Sequence, residues 1–108
     1  MIEITRTPEG SLRVTPGMVP PLLADFLETD IGLYTPRAEE ILAALQDKGR
    51  AAEVSFYGNL YALRVTATEA FLNGLFDETL MLTVSLDQLE AVVSQWHAAL
   101  LGRGGRLD

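Results

Sequence analysis

Few residues in this sequence are suited to acid–base catalysis or metal binding. The 108 residues include one histidine, His97, and no cysteine. A catalytic dyad or a metal site on one helix needs a partner one turn away. The positions one turn from His97 are occupied by Val93, Ser94, Leu100 and Leu101. We therefore interpret His97 as a surface histidine, with a role at a partner interface as the alternative.

The paired carboxylates are the other candidates for chemistry. Asp77 and Glu78, like Glu39 and Glu40, are adjacent in sequence. Neighbouring side chains point in different directions, so adjacency does not make a catalytic pair. The glycines fit no dinucleotide or phosphate-binding loop, and no serine lies in a nucleophile-elbow motif. The sequence therefore predicts that the protein is not an enzyme and binds neither a metal nor another cofactor.

The N-terminal half predicts a hairpin followed by two helices. Alternating apolar residues flank the turn-forming segment 7–10, which is typical of a β-hairpin. Pro21 suits the first turn of a helix. Thr35 followed by Pro36 indicates a second helix start, with the Thr35 side chain as the cap, and Gly49 supplies the stop.

A second hairpin is predicted in more detail. Gly58 and Asn59 suit a two-residue turn, and this turn sets the expected register. The expected pairs are Tyr57 with Leu60, Phe56 with Tyr61, Val54 with Leu63, and Ala52 with Val65. This register gives one apolar face and places Glu53 opposite Arg64, a favourable pair of charges.

Two further strands and a long helix complete the pattern. One strand is expected to end near Gly74, and alternation over residues 80–84 predicts the next. Ser85 and Gln88 have capping-box spacing, so the last helix should begin there. Trp96 lies on the apolar stripe of this helix and is interpreted as a core residue, with a binding hot spot as the alternative.

These elements predict the α+β class, with a single antiparallel β-sheet of four to six strands and about three helices packed on it. The domain is expected to span residues 1–102, and residues 103–108 are expected to form a flexible tail. No apolar stretch approaches the roughly 18 residues that cross a membrane, and the N-terminus does not resemble a signal peptide. We therefore expect a cytoplasmic protein.

The charge balance narrows the class of partner. Fifteen Asp and Glu against eight Lys and Arg give a formal net charge of −7. Because this charge repels phosphate and anionic lipid, neither nucleic acid nor a membrane is expected as a ligand. Two stretches without Lys or Arg contain the candidate partner-binding residues: Asp25, Glu28, Asp30, Asp77, Glu78, Asp87 and Glu90. They form either a solvated surface that aids solubility or a docking face for a basic protein.

The second half of the chain also carries a family resemblance. It consists of the Gly58–Asn59 hairpin, the runs 63–69 and 71–78, the segment 85–89 and a closing Trp96. Over roughly residues 55–101 the chain resembles small immunity proteins of bacterial contact-dependent growth inhibition and related polymorphic toxin systems. The resemblance implies a protein without enzymatic activity. Such a protein would bind a cognate toxin domain, often a nuclease, and occlude its active or substrate-binding surface.

Two other classes of function are open at this point. One is a homo-oligomeric structural or adaptor protein, such as a homodimer, in which a strand edge or the Trp96 face pairs with itself. The other is an enzyme with a carboxylate site assembled across the fold.

Overall fold

A computed structural model describes residues 3–15, 17, 19–47 and 53–102. Within these residues the fold contains three α-helices, a π-helix and six strands. In chain order they are β1 (Ile4–Arg6), β2 (Leu12–Val14), α1 (Pro21–Phe26), the π-helix (Leu27–Ile31), α2 (Thr35–Gln46), β3 (Val54–Tyr57), β4 (Tyr61–Val65), β5 (Glu69–Gly74), β6 (Met81–Ser85) and α3 (Leu86–Leu100). The expected helix stop at Gly49, the pairing of Ala52 and the tail 103–108 lie outside the described residues.

The strands form two antiparallel sheets. β1 pairs with β2, while β3, β4, β5 and β6 form a four-stranded meander in that order. The α+β class is confirmed, and the strands that we expected in one sheet are divided between two. One reason lies at the outer edge of β2, where the amide of Val14 donates to Glu28 Oε2 at 2.8 Å instead of to another strand.

The register of the β3–β4 hairpin differs from the predicted one. The observed pairs are Val54 with Val65, Ser55 with Arg64, Phe56 with Leu63, and Tyr57 with Ala62. The amide of Gly58 donates to the carbonyl of Tyr61 at 2.9 Å, so the turn residues are Asn59 and Leu60. The predicted register is therefore wrong by two residues. A shift of two leaves every side chain on its expected face, so the predicted apolar face is correct.

The expected charge pair survives this shift as a diagonal contact. Arg64 Nε lies 3.7 Å from Glu53 Oε2, although the residue directly opposite Arg64 is Ser55. Diagonal neighbours on one face of a sheet are within reach of long side chains. The contact was predicted correctly, but its position in the ladder was not.

The helix starts agree with the sequence except at one cap. Pro21 begins α1, as predicted, and Ser85 Oγ accepts the amide of Gln88 at 3.1 Å at the start of α3. The predicted cap at Thr35 is wrong. Thr35 is already helical, and Tyr34 occupies the cap position without a side-chain hydrogen bond.

The core lies between the helices and one face of the four-stranded sheet. Its largest fully buried side chain is Trp96, whose Nε1 donates to the carbonyl of Gly32 at 2.9 Å. Its interpretation as a core residue is confirmed. The alternatives in which Trp96 is a hot spot or part of a self-pairing face are wrong, because none of its surface is exposed.

Replacing Trp96 by phenylalanine should lower the free energy of unfolding by about 2 kcal/mol, because it leaves a cavity and removes the donor to Gly32. Urea denaturation followed by circular dichroism measures the change. Phe76→Leu is the control, since Phe76 is exposed and a change within about 0.5 kcal/mol is expected there. Equal effects would contradict the assignment of Trp96 as a central core residue.

Candidate functional site

Eight of the nine large apolar side chains that are exposed among the described residues belong to segments at one end of the four-stranded sheet, and the ninth, Leu101, follows α3. We define the apolar end as Leu33, Tyr34, Tyr57, Leu60, Leu75, Phe76, Leu80 and Met81, which are all exposed. They come from the π-helix–α2 connection, the end of β3, the β3–β4 turn, and the loop and strand start between β5 and β6. Contiguous exposed apolar surface in a soluble protein marks an interaction site, whereas scattered residues do not.

Backbone pairing brings these segments together. The amide of Leu75 donates to the carbonyl of Leu60 at 2.8 Å, which joins the β5–β6 loop to the β3–β4 turn. Across the sheet, Tyr57 pairs with Ala62, Ala62 with Asn73, and Asn73 with Met81. Directly opposed residues share a face of a sheet. Tyr57 and Met81, each 67% exposed, therefore stand in one row on the face opposite the core.

The helical connection adds to this surface through a groove of about 370 Å³. Leu33 and Tyr34 line one part of the groove, and Tyr57 and Asn59 line another. Arg37 also lines it. The groove thus combines exposed aromatic and aliphatic groups with polar ones, which is the composition of protein-binding surfaces.

Asp30 positions the turn at the centre of the apolar end. Its Oδ1 accepts the amide of Leu60 at 3.0 Å, and its Oδ2 accepts the amide of Tyr61 at 2.9 Å. A Cβ atom at position 58 would collide with the Asp30 side chain, so this close approach favours glycine there. Asp30 therefore selects the observed register of the hairpin. Sequence reasoning missed this because the turn residues were read without their partner from the π-helix.

The π-helix determines where Asp30 points. Its defining hydrogen bond runs from the amide of Gly32 to the carbonyl of Leu27 at 2.9 Å, over five residues instead of four. Gly32 ends it with a φ of +53°, a conformation that glycine adopts without strain. Wide turns of this kind rotate side chains relative to an α-helix and are frequent at functional sites.

Asp25 supports the same turn from α1. The hydroxyl of Tyr61 donates to Asp25 Oδ2 at 2.5 Å, and the tyrosine is otherwise buried. Burial, followed by the hydrogen bond to Asp25 and the charges of Asp25 and Asp30, raises the pKa of Tyr61 to about 12. The phenol therefore stays protonated as a donor across the physiological range.

Glu28 binds the N-terminal hairpin. Besides the amide of Val14, it contacts Arg13 Nη1 through Oε1 at 3.2 Å. The three acidic residues of the first stretch, Asp25, Glu28 and Asp30, thus have hydrogen-bonding roles within the fold. Their placement as partner-binding residues stays a prediction, and these bonds show that they already have structural partners.

Asp77 and Glu78 lie at the apolar end itself. Both are exposed in the β5–β6 loop. Asp77 Oδ1 accepts the hydroxyl of Thr79 at 2.6 Å and its amide at 3.0 Å, and these bonds lower the pKa of Asp77. The loop therefore presents carboxylate beside Phe76, which is 84% exposed.

Asp87 and Glu90 occupy a different place. Both lie near the start of α3, which directly follows β6. This end of β6 pairs with Glu69, so it is the end of the strand farther from the apolar end. Asp87 is exposed and Glu90 is partly buried. The seven predicted residues therefore do not form one compact face, because β6 separates Asp77 and Glu78 from Asp87 and Glu90, and the residues of the first stretch bond within the fold.

His97 has a partner that its own helix could not supply. Its Nε2 lies 3.1 Å from Glu39 Oε2 of α2, across 58 positions of sequence. The sequence-based interpretation correctly found no helper on α3 but missed the neighbouring helix. Among the described residues, no three His, Asp or Glu side chains are placed to hold a metal ion. None of the helices in the same part of the chain is long and apolar enough to cross a membrane.

Comparisons of this chain with protein-family models, with curated proteins and with solved structures found no match. The function is therefore inferred from the apolar end and the carboxylates beside it.

Asp30→Ala should lower the free energy of unfolding by about 1–3 kcal/mol, because the amide of buried Tyr61 loses its acceptor and the turn loses its anchor. Urea denaturation measures this change. Glu78→Ala removes the same charge from an exposed side chain and should shift stability by less than about 0.5 kcal/mol. If both variants lost the same amount, net charge and not the anchor would be responsible.

Tyr61 should also give the protein a defined alkaline response. Its folded pKa of about 12 exceeds the ordinary value of 10.0, so its contribution to stability is present below pH 10 and lost as pH rises towards 12. Absorbance of the phenolate should show a late-titrating component that is absent from Tyr61→Phe. An unchanged titration in that variant would contradict the assignment.

Proposed function

We propose that this protein is a non-enzymatic inhibitor that acts in the cytoplasm by binding one cognate toxin domain and occluding its active or substrate-binding surface. The observation that carries the proposal is the apolar end, flanked by the exposed carboxylates of Asp77 and Glu78. The resemblance of residues 55–101 to immunity proteins supports the same role. A toxin that binds the phosphate groups of nucleic acid needs a basic substrate-binding surface, and this is the surface that the inhibitor would cover.

Phe76 is the best candidate for the central contact. It lies in the loop between β5 and β6 with 84% of its surface exposed, which is unfavourable in water without a partner. Tyr57 and Met81 stand in one row of the sheet at the same end. Aromatic residues and methionine are enriched at protein interfaces, where a few of them supply most of the affinity.

The exposed carboxylates beside Phe76 would steer the partner before the two surfaces touch. Asp77 and Glu78 extend into solvent beside Phe76, so they attract a basic surface and orient it towards the apolar end. Asp25, Glu28 and Asp30 contribute by holding the hairpins in place. Asp87 and Glu90 would contact a partner that extends along β6.

The proposal predicts that the neighbouring gene encodes a large secreted protein with a nuclease-like C-terminal domain, and that domain is the partner to test. The purified chain should bind that domain and abolish its activity. Phe76→Ser should weaken binding roughly thirtyfold, the effect of losing a hot spot of about 2 kcal/mol. Isothermal titration calorimetry measures the affinity, and a substrate-cleavage assay measures the inhibition.

Charge reversal tests the steering role separately. Asp77→Lys with Glu78→Lys should slow association roughly tenfold at low salt and flatten its dependence on ionic strength. Glu9→Lys is the control, because Glu9 is exposed in the separate β1–β2 hairpin. Stopped-flow rates equal to wild type in the double variant would remove these residues from the interface. Full toxin activity in the presence of the wild-type chain would refute the inhibitor function.

A further inference from the structure

The outer edge of β6 offers backbone groups to an additional strand. β6 is the last strand of the sheet, and the amide of Gly74 donates to the carbonyl of Leu80 at 2.8 Å. With Leu72 opposite Leu82, the antiparallel alternation directs the backbone groups of Leu82 towards β5. The same alternation directs those of Met81 and Thr83 outwards. Within the described part of the chain, no residue accepts a hydrogen bond from either outward amide.

The sequence of this edge lacks the residue types that usually prevent pairing. Its sequence, Met-Leu-Thr-Val-Ser, contains neither proline nor a charged residue. Natural sheets normally block open edges with such residues, with bulges or with a covering element. Met81 and Thr83 are both exposed, so a strand that arrived at this edge would meet accessible side chains as well as backbone.

Charge at both ends of β6 indicates what kind of strand fits. Asp77 and Glu78 precede the strand, and Asp87 follows it in the first turn of α3; all three are exposed. We propose that β6 accepts an extended segment of the basic partner as an additional strand, with lysine or arginine side chains reaching these carboxylates. This inference rests on the proposed function, since it assigns one segment of the same partner to the edge. Strand addition of this kind derives affinity from main-chain hydrogen bonds and specificity from alternate side chains.

A second copy of this chain is a poorer occupant. In an antiparallel pair of β6 strands centred on Thr83, Thr79 of one copy would lie opposite Asp87 of the other. Asp77 and Glu78, which directly precede Thr79, would then lie close to that carboxylate. Like charges brought together at both ends oppose such a dimer. The acidic flanks therefore discourage self-pairing while they attract a strand of opposite charge.

The other edge of the sheet lacks this complementarity. β3 is preceded by Glu53, which already contacts Arg64, and Arg37 lies over the Phe56 ring at 5.9 Å. Its local charges are therefore largely balanced. Ser55 is the residue of β3 that corresponds to Thr83, because its backbone groups also point outwards. The chain thus supplies its own matched control.

The test uses a short peptide that alternates lysine with valine, and a second peptide with glutamate in place of lysine. Titration into isotope-labelled protein should shift the amide resonances of Met81 and Thr83 more than those of Ser55 and Tyr57. The glutamate peptide should not bind. Thr83→Pro removes an outward amide without breaking a ladder bond and should weaken the lysine peptide about tenfold, while Ser55→Pro should leave its affinity unchanged.

The outcomes separate this inference from the proposed function. Shifts confined to the β3 edge, equal binding of both peptides, or β6 shifts that grow with protein concentration alone would overturn strand addition by a basic partner. If Thr83→Pro does not fold, the wild-type map of shifted amides decides the question. Unweakened binding of the toxin domain to folded Thr83→Pro would refute the edge while leaving the inhibitor function intact, whereas loss of binding in that variant but not in Ser55→Pro would support it.

Discussion

The carboxylate of Asp30 is the interaction on which the rest of the surface depends. It receives two consecutive backbone amides, from Leu60 and Tyr61, and so fixes a tight turn to a helix that precedes it by 30 residues. Two amides on one carboxylate make a charge-assisted contact that defines both distance and direction. Without it, the local preferences of Gly58 and Asn59 would place a two-residue turn one position earlier, with a different set of cross-strand pairs. The position of the exposed apolar groups follows from this constraint.

The acidic residues divide by what they contact. One group, which includes Asp25, Glu28 and Asp30, accepts hydrogen bonds inside the fold and joins elements distant in sequence. Another, which includes Asp77 and Glu78, extends into solvent at the loop that carries Phe76. Both groups look alike in composition, because each is a run without lysine or arginine. The net charge alone therefore could not separate structural carboxylates from those available to a partner.

The sequence predicted whatever depends on local periodicity, and it failed where a distant residue decides. Alternation and capping residues located the strands and α3, since these patterns lie within one element. The hairpin register was wrong by one full side-chain repeat, because Asp30 competes with the turn preference of Gly58 and Asn59. The apolar end could not be recognised either. Its members come from four separate segments, and only the folded sheet brings them together.

The hydrogen bond from Trp96 to Gly32 places the chain's one indole in a particular position. Gly32 directly precedes Leu33 and Tyr34, which belong to the apolar end. The ring is therefore shielded from solvent, while the residue that accepts its hydrogen bond is the immediate neighbour of that exposed surface. Indole emission responds to the hydrogen bonding and polarity around the ring. The protein consequently contains an intrinsic optical reporter, whose spectrum should register movement of the neighbouring loop without any attached dye.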